Sequence, residues 1–213
     1  MTSATEDEQL AQLREFWQRS GKPLVAGAVL ALAAVVGWQA WKSHETNQAQ
    51  NASALYQQLL TQVLSTAEPD RAEIARLGGE LTKSYGGSDY AQYARLFLAK
   101  VAVEAGEPAD AVTELRAVLD DPASETLGEL ARQRLARVLA AQDKADEGLA
   151  LLDGEAPASF AAGREELKGD LLVQLGRLDE AHAAYTRAKE RLSPDAAVGG
   201  LQLKLDDLAR GDA

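Results

Sequence analysis

One uncharged stretch constrains this chain more than any other feature of its sequence. Residues 23–41 contain no Asp, Glu, Lys or Arg, and Gln39 is their one polar side chain. As a helix that rises about 1.5 Å per residue, the stretch spans roughly 28 Å, close to the hydrocarbon thickness of a bilayer. Lys22 and Lys42 flank it, and the three Trp residues of the chain lie at its edges. This pattern predicts a transmembrane helix; the buried core helix of a soluble domain is the alternative.

Basic residues around the stretch predict its orientation. Arg14, Arg19 and Lys22 precede it, whereas Lys42 is the one Lys or Arg in the flank that follows it. Because flanks rich in Lys and Arg stay in the cytoplasm, we expect the N-terminus there and the bulk of the chain across the membrane.

The segment before the stretch has an amphipathic pattern of its own. Leu10, Leu13, Phe16 and Trp17 recur at helical spacing, which predicts a short helix on the inner membrane surface. The sequence thus predicts three parts: a cytoplasmic tail with this short amphipathic helix over 1–22, a transmembrane helix over 23–41, and a large outer domain over 42–213.

Composition excludes several kinds of chemistry. The chain has no Cys and two His residues, so disulfides, thiolate zinc sites and cysteine nucleophiles are excluded. Its net charge is -11, whereas a nucleic-acid-binding protein needs a positive surface. No phosphate-binding loop or metal-binding motif is present. We therefore predict no catalytic residue, cofactor or metal site, and no binding of nucleic acid.

Three segments of the outer domain align with one another as helix pairs. Small residues recur in the first helix of each pair at Ala99, Ala136 and Gly169, and in the second at Ala111, Gly148 and Ala181. Large residues follow each second small residue, at Leu115, Leu152 and Tyr185. Small residues at such points let two helices approach closely, and the large ones fill the space beside them.

This pattern resembles the tetratricopeptide repeat and predicts an all-α fold in which a single N-terminal transmembrane helix is followed by a tetratricopeptide-like α-solenoid. Arg95, Arg132 and Glu165 stand where the repeat's consensus has Trp, so a plain helical bundle is the alternative. We expect the helices around Leu55 and Ile74 to form a degenerate first pair. A last helix, near 195–209, is expected to cap the stack.

A solenoid of this kind presents a concave surface made by the first helix of each pair, and such surfaces bind segments of other proteins. The repeat register predicts that eight side chains face this groove: Tyr93, Lys100, Glu104, Gln133, Arg137, Glu166, Asp170 and Gln174. The alternative for each is a solvated polar surface position. The acidic net charge favours basic or unfolded clients.

Motifs around the membrane segment are more specific than the repeats. The run from Phe16 through Gly37-Trp-Gln-Ala-Trp41-Lys-Ser-His44, followed by Ala52-Ser-Ala-Leu-Tyr56, resembles the YfgM family, as does Lys168-Gly-Asp-Leu-Leu-Val-Gln-Leu-Gly176. The resemblance implies a single-pass inner-membrane protein of Gram-negative bacteria whose tetratricopeptide-like domain is periplasmic. It also implies association with the SecYEG translocon and with a PpiD-like periplasmic chaperone, and a link between the tail and a cytoplasmic stress-response regulator.

The main hypothesis is a non-enzymatic adaptor of the Sec translocon that passes translocated proteins to periplasmic chaperones. Its membrane helix would dock on another membrane protein through small residues spaced four apart, Gly27 with Ala31 and Ala33 with Gly37. The alternative for these four residues is that they belong to an ordinary Ala-rich segment and have no specific role in packing. A membrane-anchored regulator that acts through its cytoplasmic tail is the second hypothesis, and a scaffold for envelope enzymes is the third.

Overall fold

The computed structural model describes residues 3–64, 70–193 and 199–211. Within these ranges the chain forms nine helices and no strand, so the prediction of an all-α fold is confirmed. The helices are α1 (Ser3–Leu64), α2 (Arg71–Ser84), α3 (Asp89–Glu104), α4 (Pro108–Asp120), α5 (Glu125–Ala140), α6 (Ala145–Leu151), α7 (Ala158–Gln174), α8 (Leu178–Glu190) and α9 (Gly199–Gly211).

The chain divides into two compact units, residues 1–51 and 52–213. Helix α1 runs over Ser3–Leu64 and includes the segment for which a short amphipathic helix was predicted, and the amphipathic role of that segment stays a prediction. The side chains of Leu10, Leu13 and Phe16 lie outside the described part. Within that part, α1 is the one helix long and apolar enough to cross a membrane, and none of its apolar window is buried in the protein. This is consistent with a single-pass membrane protein.

Short polar side chains set the starts of three helices in the second unit. The carboxylate of Asp70 accepts the backbone N–H groups of Ala72 and Glu73 at 3.0 and 3.1 Å and so caps α2. The hydroxyls of Ser88 and Ser124 cap α3 and α5 in the same way. These bonds satisfy N–H groups that have no partner inside the helix.

Helices α3 and α4, α5 and α6, and α7 and α8 form the three predicted pairs. The predicted small residues lie where paired helices meet. A Cβ added to Gly148 on α6 would lie 2.7 Å from the carbonyl oxygen of Ala136 on α5, and one added to Gly169 on α7 would collide with the ring of Tyr185 on α8. The large residues Leu115, Leu152 and Tyr185 are buried, as predicted.

Each pair uses the same tight turn between its two helices. The backbone N–H that follows the turn donates to a carbonyl five residues earlier, from Glu107, Lys144 and Arg177 to Ala102, Leu139 and Leu172. The preceding residue adopts a left-handed conformation, with φ of 78° at Gly106, 61° at Asp143 and 72° at Gly176. Glycine adopts this conformation without a steric penalty, so Asp143 is the unfavourable member of the three.

The pairs stack so that α3 contacts α5 and α5 contacts α7, which is the arrangement of a solenoid. At one end, Leu59 of α1 and Ile74 of α2 share a buried cluster with Ala94 of α3. At the other end, Leu201 and Leu205 of α9 pack on Tyr185 of α8. The capping helix is therefore confirmed, whereas α1 and α2 share a buried cluster but do not pack as closely as the helices of the three pairs.

Polar bridges hold the paired helices together at the positions where the repeat consensus has Trp. Arg95 pairs with Glu114 at 2.7 Å between α3 and α4. Arg132 donates to the carbonyl of Leu151 at 3.2 Å between α5 and α6. Glu165 accepts from Arg187 at 2.7 Å between α7 and α8. In each pair, a polar contact between the two helices thus stands where the consensus repeat has a Trp side chain.

Candidate functional site

A groove lies between the first helices of two successive repeats, α3 and α5. Its volume is about 360 Å³, within the range of about 300–1,000 Å³ that is usual for ligand pockets. It is lined by Leu96, Ala99, Lys100, Val103 and Glu104 of α3, Leu115 of α4, and Arg134, Arg137 and Val138 of α5.

The floor of the groove belongs to the hydrophobic core. Leu96, Ala99, Leu115 and Val138 are buried members of one cluster that joins α3, α4 and α5. Val103 is different because it lies in the groove with 48% of its surface exposed. The floor is therefore fixed by packing before anything binds, and its apolar surface continues outward to Val103.

The rim carries three basic side chains and one acidic side chain. Lys100 pairs with Glu104 at 3.7 Å, and both are exposed. Arg134 and Arg137 form no ion pair with any residue that the structure describes. Partial burial of the guanidinium, and then the like charge of Arg137, lower the pKa of Arg134. The groove is thus locally positive on a chain of net charge -11.

The structure brings three of the eight predicted groove residues together around this cavity: Lys100, Glu104 and Arg137. Gln133 is placed elsewhere, because it is buried and donates to the carboxylate of Glu129 at 2.9 Å. The structure therefore does not place Gln133 on the open binding surface where it was predicted. Its neutral amide lies inside the domain, beside the buried carboxylate of Glu129.

The other four predicted residues make contacts within the chain. Tyr93 packs on Tyr56, with ring centroids 5.7 Å apart. Asp170 accepts from Tyr185 at 2.8 Å and from Lys204 at 2.6 Å. The remaining two, Glu166 and Gln174, bond to Lys204 at 2.8 Å and to the carbonyl of Ala140 at 2.9 Å. Roles for these residues in binding a partner stay predictions.

Sequence reasoning missed a buried ion pair between Glu129 and Arg164, which are each 3% exposed. The guanidinium of Arg164 bonds both carboxylate oxygens of Glu129 and also the carbonyls of Gly154 and Glu155. Burial alone would raise the pKa of Glu129, but the hydrogen bonds from Arg164 and Gln133 hold it below its usual range. This cluster ties α5 and α7 to the loop between α6 and α7.

Glu165 is a second buried carboxylate with several cationic partners. It bonds Arg187 at 2.7 Å and Lys168 at 3.3 Å. Burial alone would raise the pKa of Glu165, but these cations keep it below its ordinary value. Both buried carboxylates are held inside ion pairs, so their arrangement stabilises the repeats and leaves neither free to act as an acid or base.

The small residues of the membrane segment belong to the first unit. Gly27, Ala31, Ala33 and Gly37 are all exposed, and a Cβ added at Gly27 or Gly37 would meet no atom within 4 Å. These surfaces are open to a partner helix or to lipid, so their role in packing stays a prediction.

Among the described residues, no group of His, Asp and Glu is arranged to hold a metal ion.

The missed groove residue Arg134 had a weak signal in the sequence. It lies three positions before Arg137, and residues at this spacing share one side of a helix. The repeat register alone did not show that both face α3.

Comparison with known proteins agrees with the architecture. A model of the tetratricopeptide repeat-like domain family matches residues 14–210. A protein of Escherichia coli (strain K12) named "Ancillary SecYEG translocon subunit" is 30% identical over 205 residues, which is 96% of this chain and 97% of the relative. A protein of the same name from Neisseria gonorrhoeae is 33% identical over 208 residues, 95% of this chain and 97% of the relative.

A third relative of that name, from Haemophilus influenzae, is 27% identical over 188 residues and covers 88% of this chain. The similarity runs through both the apolar segment and the repeats, and the relatives are named as subunits of an assembly. They place this chain among non-enzymatic adaptors. The chain therefore belongs to the YfgM family of ancillary SecYEG translocon subunits, which is built on a tetratricopeptide repeat-like domain.

Proposed function

We propose that this chain is an adaptor of the Sec translocon that is anchored in the inner membrane by residues 23–41. Residues 1–22 would lie in the cytoplasm and residues 42–213 in the periplasm. The repeat domain would bind partner proteins, including a PpiD-like chaperone, and help pass translocated proteins to periplasmic chaperones. The observation that carries this proposal is the similarity over nearly the whole chain to proteins named as ancillary SecYEG translocon subunits.

The structure supports an adaptor through two features. The apolar window of α1 is unburied, so it is available to lipid or to another membrane helix. The second unit has a preformed apolar groove whose charged rim contains two guanidinium groups that form no ion pair with the described residues. An anchored domain with a rigid groove can hold a polypeptide near a translocation channel without chemistry.

The first experiment tests docking through the membrane helix. A photocrosslinking residue is placed at Gly27 or Ala31, and at Ala33 or Gly37, in native membranes. At about 100° per residue, Leu32 lies roughly 120° from each pair and serves as the matched control. We expect crosslinks to translocon subunits from one small-residue pair and weaker ones from Leu32. Capture of lipid alone at every position would contradict docking through the span.

The second experiment tests orientation. Because the chain has no Cys, single cysteines can be introduced as Gln18→Cys and Asp120→Cys without a background. A membrane-impermeant maleimide added to spheroplasts should label Cys at position 120 and leave position 18 unlabelled until the cells are broken. The opposite pattern would invert the assignment of cytoplasmic and periplasmic parts.

Chaperone hand-off needs its own measurement. A mild-detergent pull-down with the full chain should recover translocon subunits together with a periplasmic chaperone, and a newly exported protein should crosslink to the chaperone less when the chain is absent. Recovery of translocon subunits with no change in chaperone crosslinking would support the adaptor function and contradict the hand-off to chaperones.

The hypothesis of a regulator acting through residues 1–22 stays a prediction, because the side chains of residues 1–16 lie outside those described.

A further inference from the structure

The groove between α3 and α5 has a charge opposite to that of the chain around it. Its rim carries Lys100, Arg134 and Arg137 against one carboxylate, Glu104, whereas the whole chain has a net charge of -11. At physiological ionic strength, charges separated by more than about 8 Å are largely screened. A segment lying in the groove therefore experiences the nearby arginines more than the distant acidic surface.

The two arginines differ from most of the arginines in the repeats. Arg95, Arg164 and Arg187 are each bonded to a carboxylate that holds neighbouring helices together. Arg134 and Arg137 have no such partner among the described residues, and their side chains are exposed. A guanidinium offers a planar set of N–H donors that fits a carboxylate, and these two sets of donors are unused.

The apolar floor limits what the occupant can be. Leu96, Leu115 and Val138 form a buried apolar surface, and Val103 presents an exposed one beside it. A purely acidic, hydrated segment would gain nothing from these apolar side chains, whereas a large apolar side chain would pack on the floor and remove the exposed surface of Val103 from water. A basic segment would place its charges against Arg134 and Arg137.

We propose that this groove binds an acidic, amphipathic segment of a partner protein, with an apolar side chain on the floor and flanking side-chain carboxylates on Arg134 and Arg137. This inference rests on the proposed adaptor function and names the partner chemistry of its groove. It reverses, for this site, the preference for basic clients that the net charge suggests. The observations that favour it are the apolar floor and two guanidinium groups on one rim that have no ion-pair partner in the part of the chain that the structure describes.

The experiment measures binding of labelled peptides to the full chain in mild detergent by fluorescence anisotropy at physiological salt. The probe peptide has Leu at helical spacing with Glu beside each Leu. Two matched peptides replace every Glu by Gln or by Lys, and a third replaces every Leu by Ser. We expect the Glu peptide to bind tightest, with a loss of about tenfold or more for the Gln peptide and for the Ser peptide.

A charge-reversed variant gives the sharper comparison. Arg134→Glu with Arg137→Glu should lose the Glu peptide and gain the Lys peptide. The control is Arg71→Glu with Arg116→Glu, which makes the same change in net charge at two exposed positions outside the groove. It should leave both affinities within about twofold. Circular dichroism checks that each variant is folded.

Three outcomes would overturn the inference. The Lys peptide could bind the unmodified chain as tightly as the Glu peptide. The groove and control variants could change affinity equally. Sedimentation could show a dimer that the groove variant abolishes, which would make a second copy of the chain the occupant. Recovery of translocon subunits in the pull-down alongside any of these would leave the adaptor function intact, so the two failures are separable.

Discussion

Removing Arg164 should destabilise the repeat domain far more than removing a surface arginine. Arg164→Ala leaves the carboxylate of Glu129, which is 3% exposed, without its main cationic partner. Breaking a buried ion pair by truncating one partner costs about 3–5 kcal/mol. Arg132 remains 3.5 Å from Glu129 and Gln133 still donates at 2.9 Å. We therefore expect the lower end, about 3 kcal/mol, or a fall in Tm of about 6–12 °C.

Urea unfolding of the full chain in mild detergent, followed by circular dichroism, measures this loss. Arg76→Ala is the matched control, since Arg76 pairs with Glu73 and Glu80 on an exposed helix surface. Its loss should be much smaller than that of Arg164→Ala, because solvent screens exposed ion pairs. The double variant Glu129→Leu with Arg164→Met should recover most of the stability, because well-packed apolar side chains replace buried ion pairs at little or no cost.

Two results would refute this reasoning. A loss for Arg164→Ala equal to that for Arg76→Ala would mean that Glu129 finds other partners or water. A double variant no more stable than Arg164→Ala would mean that the pair holds the loop around Gly154 through geometry that apolar packing cannot replace.

Three further changes test the repeats. Asp143→Gly should stabilise the domain by about 0.5–1 kcal/mol, because glycine tolerates the left-handed turn; a lower urea midpoint would contradict this. Gly169→Ala should cost about 1–3 kcal/mol through overpacking, whereas Gly87→Ala, in open space, should cost less; equal losses would rule out the collision with Tyr185. The lowered pKa of Glu165 contributes stability that is complete above about pH 4.3 and is lost as pH falls through the folded-state value. Glu165→Gln should therefore flatten the loss of stability in acid, and an unchanged pH profile would contradict it.

The helix pairs could be predicted because close packing leaves a signature in residue size. Ala136 and Gly148 meet where a methyl group would strike a backbone carbonyl, so only small residues fit there. Their counterparts in the other pairs recur at nearly constant spacing. The start of α3 was equally readable from Ser88, whose hydroxyl caps the helix, whereas Gly-Gly alone does not mark a helix end, because Gly78-Gly79 lie inside α2.

The buried ion pair could not be predicted, because it depends on where separate helices meet. Glu129 and Arg164 lie 35 positions apart, and periodicity treats each as a surface residue. Helix α6 ends after seven residues, and the loop that follows exposes the carbonyls of Gly154 and Glu155 to Arg164. Neither the shortening of α6 nor the path of that loop follows from the size pattern.

The residues that line the groove could also be predicted only in part, because some of them depend on how the helices pack against one another. The repeat register places Lys100, Glu104 and Arg137 on the first helices of their pairs, which is enough to predict that they line a shared surface. It does not fix the rotation of α5 against α3, and that rotation decides whether Arg134 or Gln133 faces the cavity. Gln133 and Arg134 are adjacent on α5 and lie on different sides of it, so the rotation that buries Gln133 beside Glu129 also places Arg134 on the rim. The ion pair between Glu129 and Arg164 does join α5 to α7, so variants of Glu129 that let α5 turn should alter peptide binding as well as stability.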